Sequence, residues 1–434
     1  MRTLLKGGRV VDPANGIDGQ FDVLIDGDRV AQVARDLPVD GATVVPVGAG
    51  LVVCPGFIDM HVHLREPGQE HKETVATGVA AAVAGGFTAV ACMPNTVPVN
   101  DSANVTALIL AKAAEANLAR VYPIGAVSKG SKGDLLADIA ELKDAGCVAI
   151  TDDGHPVATA LLLRRAMEYA GMFDLPLIEH CEEPTLKKDG VAHEGFHAAA
   201  LGLRGIPGAA EALGVERGVL MSELTGSHFH VAHMSARASL RAVRKAKEAG
   251  IRVTCEVAPH HFTLTDEALG SPIPYDTNTK MNPPLRETAD RDAMLEGLAD
   301  GSVDAIATDH APHHYDEKNV EFDRAPFGII GLETAVPLSL DRLVHAGRIT
   351  LPRLVELLSV NPARILRIQG GSLAPGARAD ITILAPDQTV RIDAACMRSR
   401  SKNTPFDGWE LRGCAAATIV GGRTAYVKKE ILDL

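Results

Sequence analysis

Between residues 52 and 308, eight apolar runs alternate with longer stretches rich in Ala, Leu and Glu. No other feature limits the fold as strongly. The runs Val52 to His63, Ala89 to Met93, Val121 to Val127, Val148 to Thr151, Leu177 to His180, Phe229 to Met234, Arg252 to Val257 and Asp304 to Thr308 read as buried strands. The intervals carry helical sequence, as in Val75 to Ala84, Asp134 to Asp144 and Ala236 to Glu248. Gly146, Gly171 and Gly250 fall where helix C-caps are expected, and an eighth helix begins near Leu332. Eight such units across residues 55–364 predict an α/β fold, a (β/α)8 TIM barrel.

The two ends read differently. Arg2 to Leu5, Phe21 to Ile25, Arg29 to Val33 and Thr43 to Val47 are short strands, with Asp26-Gly27-Asp28 as a hairpin turn. Ala379 to Leu384, Val390 to Asp393, Ala417 to Val420 and Arg423 to Val427 look alike, with Gly421-Gly422 as a turn. Each half alone is too small for a core. The ends, 1–54 and 365–434, therefore predict one composite β-sandwich-like module.

Several classes are excluded. The formal charge of −12 argues against a nucleic-acid binder. No apolar run reaches membrane-spanning length, and the first residues lack the apolar stretch of a signal peptide. The seven cysteines are scattered, odd in number and form no CxxC, so buried free thiols in a reducing, cytoplasmic setting are expected.

The chemistry collects at the strand ends. His61 and His63 are one residue apart, so on a strand both face the same side and reach one metal ion. Asp153 follows the fourth run, His180 ends the fifth, His233 the sixth and Asp309 the eighth. Taken singly, each fits a hydrogen-bonded polar residue at a strand end; six converging on one rim do not. Four imidazoles and two carboxylates exceed the needs of one tetrahedral site. They suit two zinc or similar ions bridged by Asp153. His230 is left unassigned, His260 and His261 are not taken as ligands, and His71, His193, His197 and His345 are expected to be solvated.

The string Pro55-Gly56-Phe57-Ile58-Asp59-Met60-His61-Val62-His63 resembles the signature of the amidohydrolase superfamily. The continuation Leu64-Arg65-Glu66-Pro67-Gly68, with Met93-Pro94-Asn95-Thr96, Thr308-Asp309-His310-Ala311-Pro312-His313 and Ala325-Pro326-Phe327-Gly328, narrows the likeness to bacterial type I dihydroorotases. The resemblance implies reversible hydrolysis of (S)-dihydroorotate to N-carbamoyl-L-aspartate in pyrimidine biosynthesis, with one or two zinc ions at the six positions. Asp309 would be the general base and acid, which such a reaction needs once coordination has lowered the pKa of water to roughly 7. Arg65, two residues past His63, would share its strand face and clamp the substrate carboxylate. The family assigns Asn95 and His313 to the same carboxylate, and Asn282, Phe327 and Gly328 to the substrate ring. It also suggests homodimers and an association with aspartate carbamoyltransferase.

Many dinuclear relatives carry a carboxylated lysine on strand four. Here Asp153 stands there and Lys143 lies in the preceding helix, which counts against the hydantoinase and dihydropyrimidinase branch. The rivals are another cyclic-amide hydrolase, of hydantoinase or allantoinase type, and a silent scaffold for the carbamoyltransferase. Two long loops, Cys181 to Pro207 and His313 to Ile330, interrupt the rhythm, and the second is expected to be a lid or a wall of the site.

Overall fold

The computed structural model describes residues 2–432. Phe57–Val62, Phe87–Cys92 and Arg120–Pro123 pair in parallel, in that order. Leu177–Glu179, Phe229–Val231, Val253–Val257 and Ala305–Ile306 form a second parallel arc. Ile150 joins the arcs through bridges to Gly125 and Leu177, and Val62 closes the ring on His310. The fourth strand is thus a single bridging residue. Asp152, just beyond it, turns its carboxylate to the Ser128 amide at 3.0 Å and takes the chain out of the ladder.

The run at 52–63 is not one strand. Val52–Pro55 pairs with Arg2–Asp12 and Ile381–Arg391, and Phe57–Val62 enters the barrel. Between them, a Cβ on Gly56 would collide with the Thr88 side chain, so glycine lets the chain cross from one sheet to the other. Strands from both ends form one connected set of eight. Arg2–Asp12 serves two neighbours, Thr43–Pro46 beside residues 3–6 and Val52–Pro55 beside 9–10. The Gly421-Gly422 turn has φ of 56° and 73°, the left-handed pair that a two-residue hairpin requires.

Helices cover the barrel. Val75–Ala84 starts at Thr74, whose hydroxyl accepts from the Thr77 amide at 3.1 Å in a capping box. Gly146 and Gly250 follow helix ends with positive φ, as expected. Gly171 does not: it is the last residue of Ala160–Gly171, and a Cβ there would stand 2.7 Å from Ser227 Oγ. Close packing, not a left-handed cap, explains that glycine. Inside the barrel, Met60, Ala91, Ile124, Ala149, Ile178 and Ala305 form an apolar cluster with Ile365 and Leu366 from the helix Asn361–Leu366. The side chains that continue these strands toward the opposite end are polar. Six of the seven cysteines are buried free thiols and Cys396 is exposed. No helix among the described residues is long and apolar enough to cross a membrane.

Candidate metal and substrate site

The six candidate ligands converge at the mouth. His61 Nε2 lies 3.4 Å from Asp153 Oδ1 and 3.5 Å from Asp309 Oδ1. His63 Nε2 lies 3.0 Å from Asp309 Oδ1 and 3.5 Å from Asp153 Oδ2. His233 Nε2 is 3.6 Å from Asp153 Oδ1. Two overlapping triads result, His61-His63-Asp309 and His61-Asp153-His233. His180 stands outside both: its Nδ1 is 2.9 Å from His233 Nε2 and its Nε2 is 3.1 Å from Asn282 Nδ2. All six are buried.

This donor set fits a cation. His61 Nε2 and Asp153 Oδ1 are buried and lack hydrogen-bond partners, which a protein interior rarely tolerates without cause. Burial alone would lower the pKa of His61, but Asp153 and Asp309 raise it well above the ordinary range. Burial would likewise raise Asp309, yet His61 and His63 hold it well below the usual carboxylate range. Nitrogen and carboxylate donors this close suit a borderline divalent ion.

A supporting layer fixes the imidazoles. Glu256, fully buried, accepts from His61 Nδ1 at 2.8 Å and from His230 Nε2 at 3.2 Å. Its pKa is lowered to about 2, because those hydrogen bonds outweigh the desolvation that would raise it. An ionised carboxylate only accepts, so His61 Nδ1 carries a proton; a cation held at the cluster would displace the other proton from Nε2 and take its lone pair. The sequence reading passed over Glu256. The one charged residue in the apolar run Cys255-Glu256-Val257-Ala258 was the available signal. His230, left unassigned, turns out to be the second partner of this carboxylate.

Five of the six predicted substrate residues, Arg65, Asn95, Asn282, His313 and Phe327, line one cavity of about 350 Å³ together with every candidate ligand except His61. Arg65 does not get there on the strand, which ends at Val62. A left-handed turn with φ 61° brings it round instead, and its Nε donates to the Pro312 carbonyl at 3.2 Å. Its Nη2 lies 3.3 Å from His313 Nε2. Burial pushes Arg65 down to about 10, with Asp309 and Asp153 opposing. His313 is held neutral by burial and by the Arg65 charge. Asn95 Oδ1 accepts from His63 Nδ1 at 2.8 Å, so Asn95 also orients a ligand. Gly328 lies behind Phe327, where a Cβ would come within 2.7 Å of His313 Cδ2. His233 and Asp309 share the left-handed backbone of Arg65, with φ of 30° and 47°. Non-glycine residues held there are strained, and such strain gathers at functional sites.

Some expectations change. His193 is buried, not solvated; it packs in the other long loop with its Nδ1 3.3 Å from Arg286 Nη1. His345 is half-buried and bonded to the Pro386 carbonyl at 2.8 Å. Both follow from tertiary contacts that local context does not reveal. His260 and His261 are buried at the end of the seventh strand, with His261 Nε2 bonded to the Pro283 carbonyl at 2.9 Å. Two lysines not singled out in the sequence, Lys280 and Lys318, are buried beside the cavity. Burial pushes Lys280 down to about 8 and, with Lys280 as a like-charged neighbour, Lys318 down to about 7.

The fold has close relatives among solved structures. The L-hydantoinase of Arthrobacter aurescens superposes with a TM-score of 0.85 over 97% of this chain and 95% of that one, at 24% identity. The dihydropyrimidinase of Brevibacillus agri gives 0.84 over 98% and 95%, also at 24% identity. The likeness shows a shared fold, the TIM barrel that the strand-helix alternation predicts. A family model described as Dihydro-orotase-like matches residues 50–239. The dihydroorotase of Geobacter metallireducens is 52% identical over 98% of this chain and 100% of its own length. That of Syntrophotalea carbinolica is 54% identical over 98% and 99%. The chain belongs to the dihydroorotase family.

Proposed function

We propose that this chain hydrolyses (S)-dihydroorotate reversibly to N-carbamoyl-L-aspartate, the cyclic-amide step of pyrimidine biosynthesis. Whole-length identity to dihydroorotases supports the substrate. The unpartnered His61 Nε2 and Asp153 Oδ1, facing each other at 3.4 Å, carry the metal-dependent reading. His61, His63, Asp153, His180, His233 and Asp309 would hold up to two zinc ions. Bound there, such ions supply Lewis acidity at the scissile carbonyl and acidify the attacking water.

The protein does the rest. Asp309, kept ionised, takes the proton from the water and returns it to the leaving ring nitrogen, a role worth about 10²–10⁴-fold. Arg65 offers a planar fork to the substrate carboxylate, with Asn95 Nδ2 and His313 beside it. Asn282, Phe327 and Gly328 bound the ring. Fixed groups in a small, buried cavity replace the water that would otherwise solvate the ring. The homodimer and the carbamoyltransferase association, like a cytoplasmic location, belong to the same proposal and are supported by the family alone. Metal analysis with a dihydroorotate hydrolysis assay tests the reading. Bound zinc and turnover in the wild type, with turnover lost in Asp309→Ala, are expected; a metal-free protein without turnover would identify a silent scaffold.

A further inference from the structure

The segment 313–330 carries Phe327 and Gly328 to the cavity, and two buried ammonium groups hold it. Lys318 Nζ donates to the carbonyls of Pro326 at 3.0 Å and Gly328 at 3.1 Å. Lys280 Nζ donates to those of Phe322 at 2.7 Å and Asp323 at 3.0 Å. The two side chains are 5% and 2% exposed, and among the described residues neither has a carboxylate partner. A buried cation bonded only to main-chain carbonyls is costly, and it needs a reason to be kept.

The bonds show what the cations do. Both main-chain groups of Gly328 are used: its amide donates to the Lys280 carbonyl at 2.9 Å, and its carbonyl also accepts from Asn403 Nδ2 at 3.0 Å. The Lys280 ammonium stands 4.9 Å from the centre of the Phe327 ring. Lys187, reaching in from the other long loop, stands 5.5 Å from the same ring. Two ammonium groups therefore stand close to the ring, and hydrogen bonds at both main-chain groups of the residue after it hold that residue in place.

We propose that Lys280 and Lys318 are positioning residues. Their ammonium groups build a substrate wall that stands before the ligand arrives, and 313–330 is not a lid. The inference rests on the proposed activity for its kinetic readout only. Lys318→Met and Lys280→Met are the variants, each checked for a cooperative melt. Losing the wall costs binding more than chemistry. KM for dihydroorotate is expected to rise about tenfold or more, with kcat within about threefold of wild type. Hydrogen exchange of the bonded amides of Gly328 and Ile330 is expected to speed up about tenfold or more in the ligand-free variants, while the barrel strands keep their protection.

Unchanged KM and unchanged exchange in both variants would overturn the proposal, as would a fall in kcat at constant KM. Wild type alone also decides it. In the ligand-free protein the bonded, buried amides of Gly328 and Ile330 are expected to be as protected as those of the strands around them. Protection that appears only when N-carbamoyl-L-aspartate is added would make the segment a lid. If the wild type did not turn over dihydroorotate, the assigned activity would fail, and the exchange of ligand-free protein would still decide about the wall.

Discussion

The barrel mouth and the sheet assembled from the two chain ends follow opposite rules. In the terminal sheet, buried polar side chains mostly find partners, with Asp12 Oδ1 as the exception among the described residues. Asp22 accepts the amides of Gly7 at 2.8 Å and Leu37 at 2.9 Å, and Asp12 accepts the amide of Leu373 at 2.8 Å. Its tight hairpin at Gly421-Gly422 uses glycine for left-handed backbone. At the mouth, buried atoms of His61 and Asp153 go without partners, and Arg65, His233 and Asp309 accept left-handed backbone without being glycine. One region is organised for stability. The other gives up stability to present unsatisfied donors at a fixed spacing, as functional sites do.

Chelation should break the contrast most completely. Stripping the metal is expected to abolish dihydroorotate turnover and to lower the melting temperature, and added zinc should restore both. A ligand at a hundred times its Kd contributes about 2.7 kcal/mol of stability, so calorimetry with and without chelator reads the effect. Asp309→Ala comes next. Turnover should fall by about 10²–10⁴-fold while circular dichroism stays that of the wild type. Equal activity in this variant would remove Asp309 from the chemistry.

Glu256→Gln sharpens the role of the supporting layer. It keeps the shape but no longer fixes the His61 tautomer, and metal affinity measured by competition should drop about 10–100-fold. In the terminal sheet the prediction reverses. Ile383→Ala removes a fully buried side chain and should cost about 2–5 kcal/mol in denaturant unfolding, with kcat of the folded protein unchanged. The smallest effect belongs to the exposed pair Arg9 and Asp18, 2.7 Å apart. Asp18→Asn should change stability by less than about 0.5 kcal/mol.

Much of this was legible in the chain. Val75–Ala84 coincides with the helical stretch expected there, because its pattern is local. The hairpin at Asp26-Gly27-Asp28 joins Ile17–Asp26 to Arg29–Ala34 as the turn residues imply. The six polar residues at strand ends were readable since each follows directly on an apolar run. The split of 52–63 at Gly56 was not, because an apolar run does not say which sheet each half joins. Strand four shrank to Ile150 for a related reason: pairing depends on neighbours, not on propensity. Glu256 escaped because a single charge within a strand carries no period, and the two lysines because each lies in a turn or short helix that only tertiary packing buries.

The order of residues alone settled the repeating strand-helix rhythm, the polar ends of the strands and the turns that need glycine. Those are short-range matters of side-chain alternation and allowed backbone angles. Tertiary structure alone decided which imidazole meets which carboxylate, that Arg65 arrives by a left-handed turn, and that Lys280 and Lys318 end up inside. These depend on contacts between residues far apart in the chain, where closing the ring brings Val62 to His310 and sets the distances at the mouth.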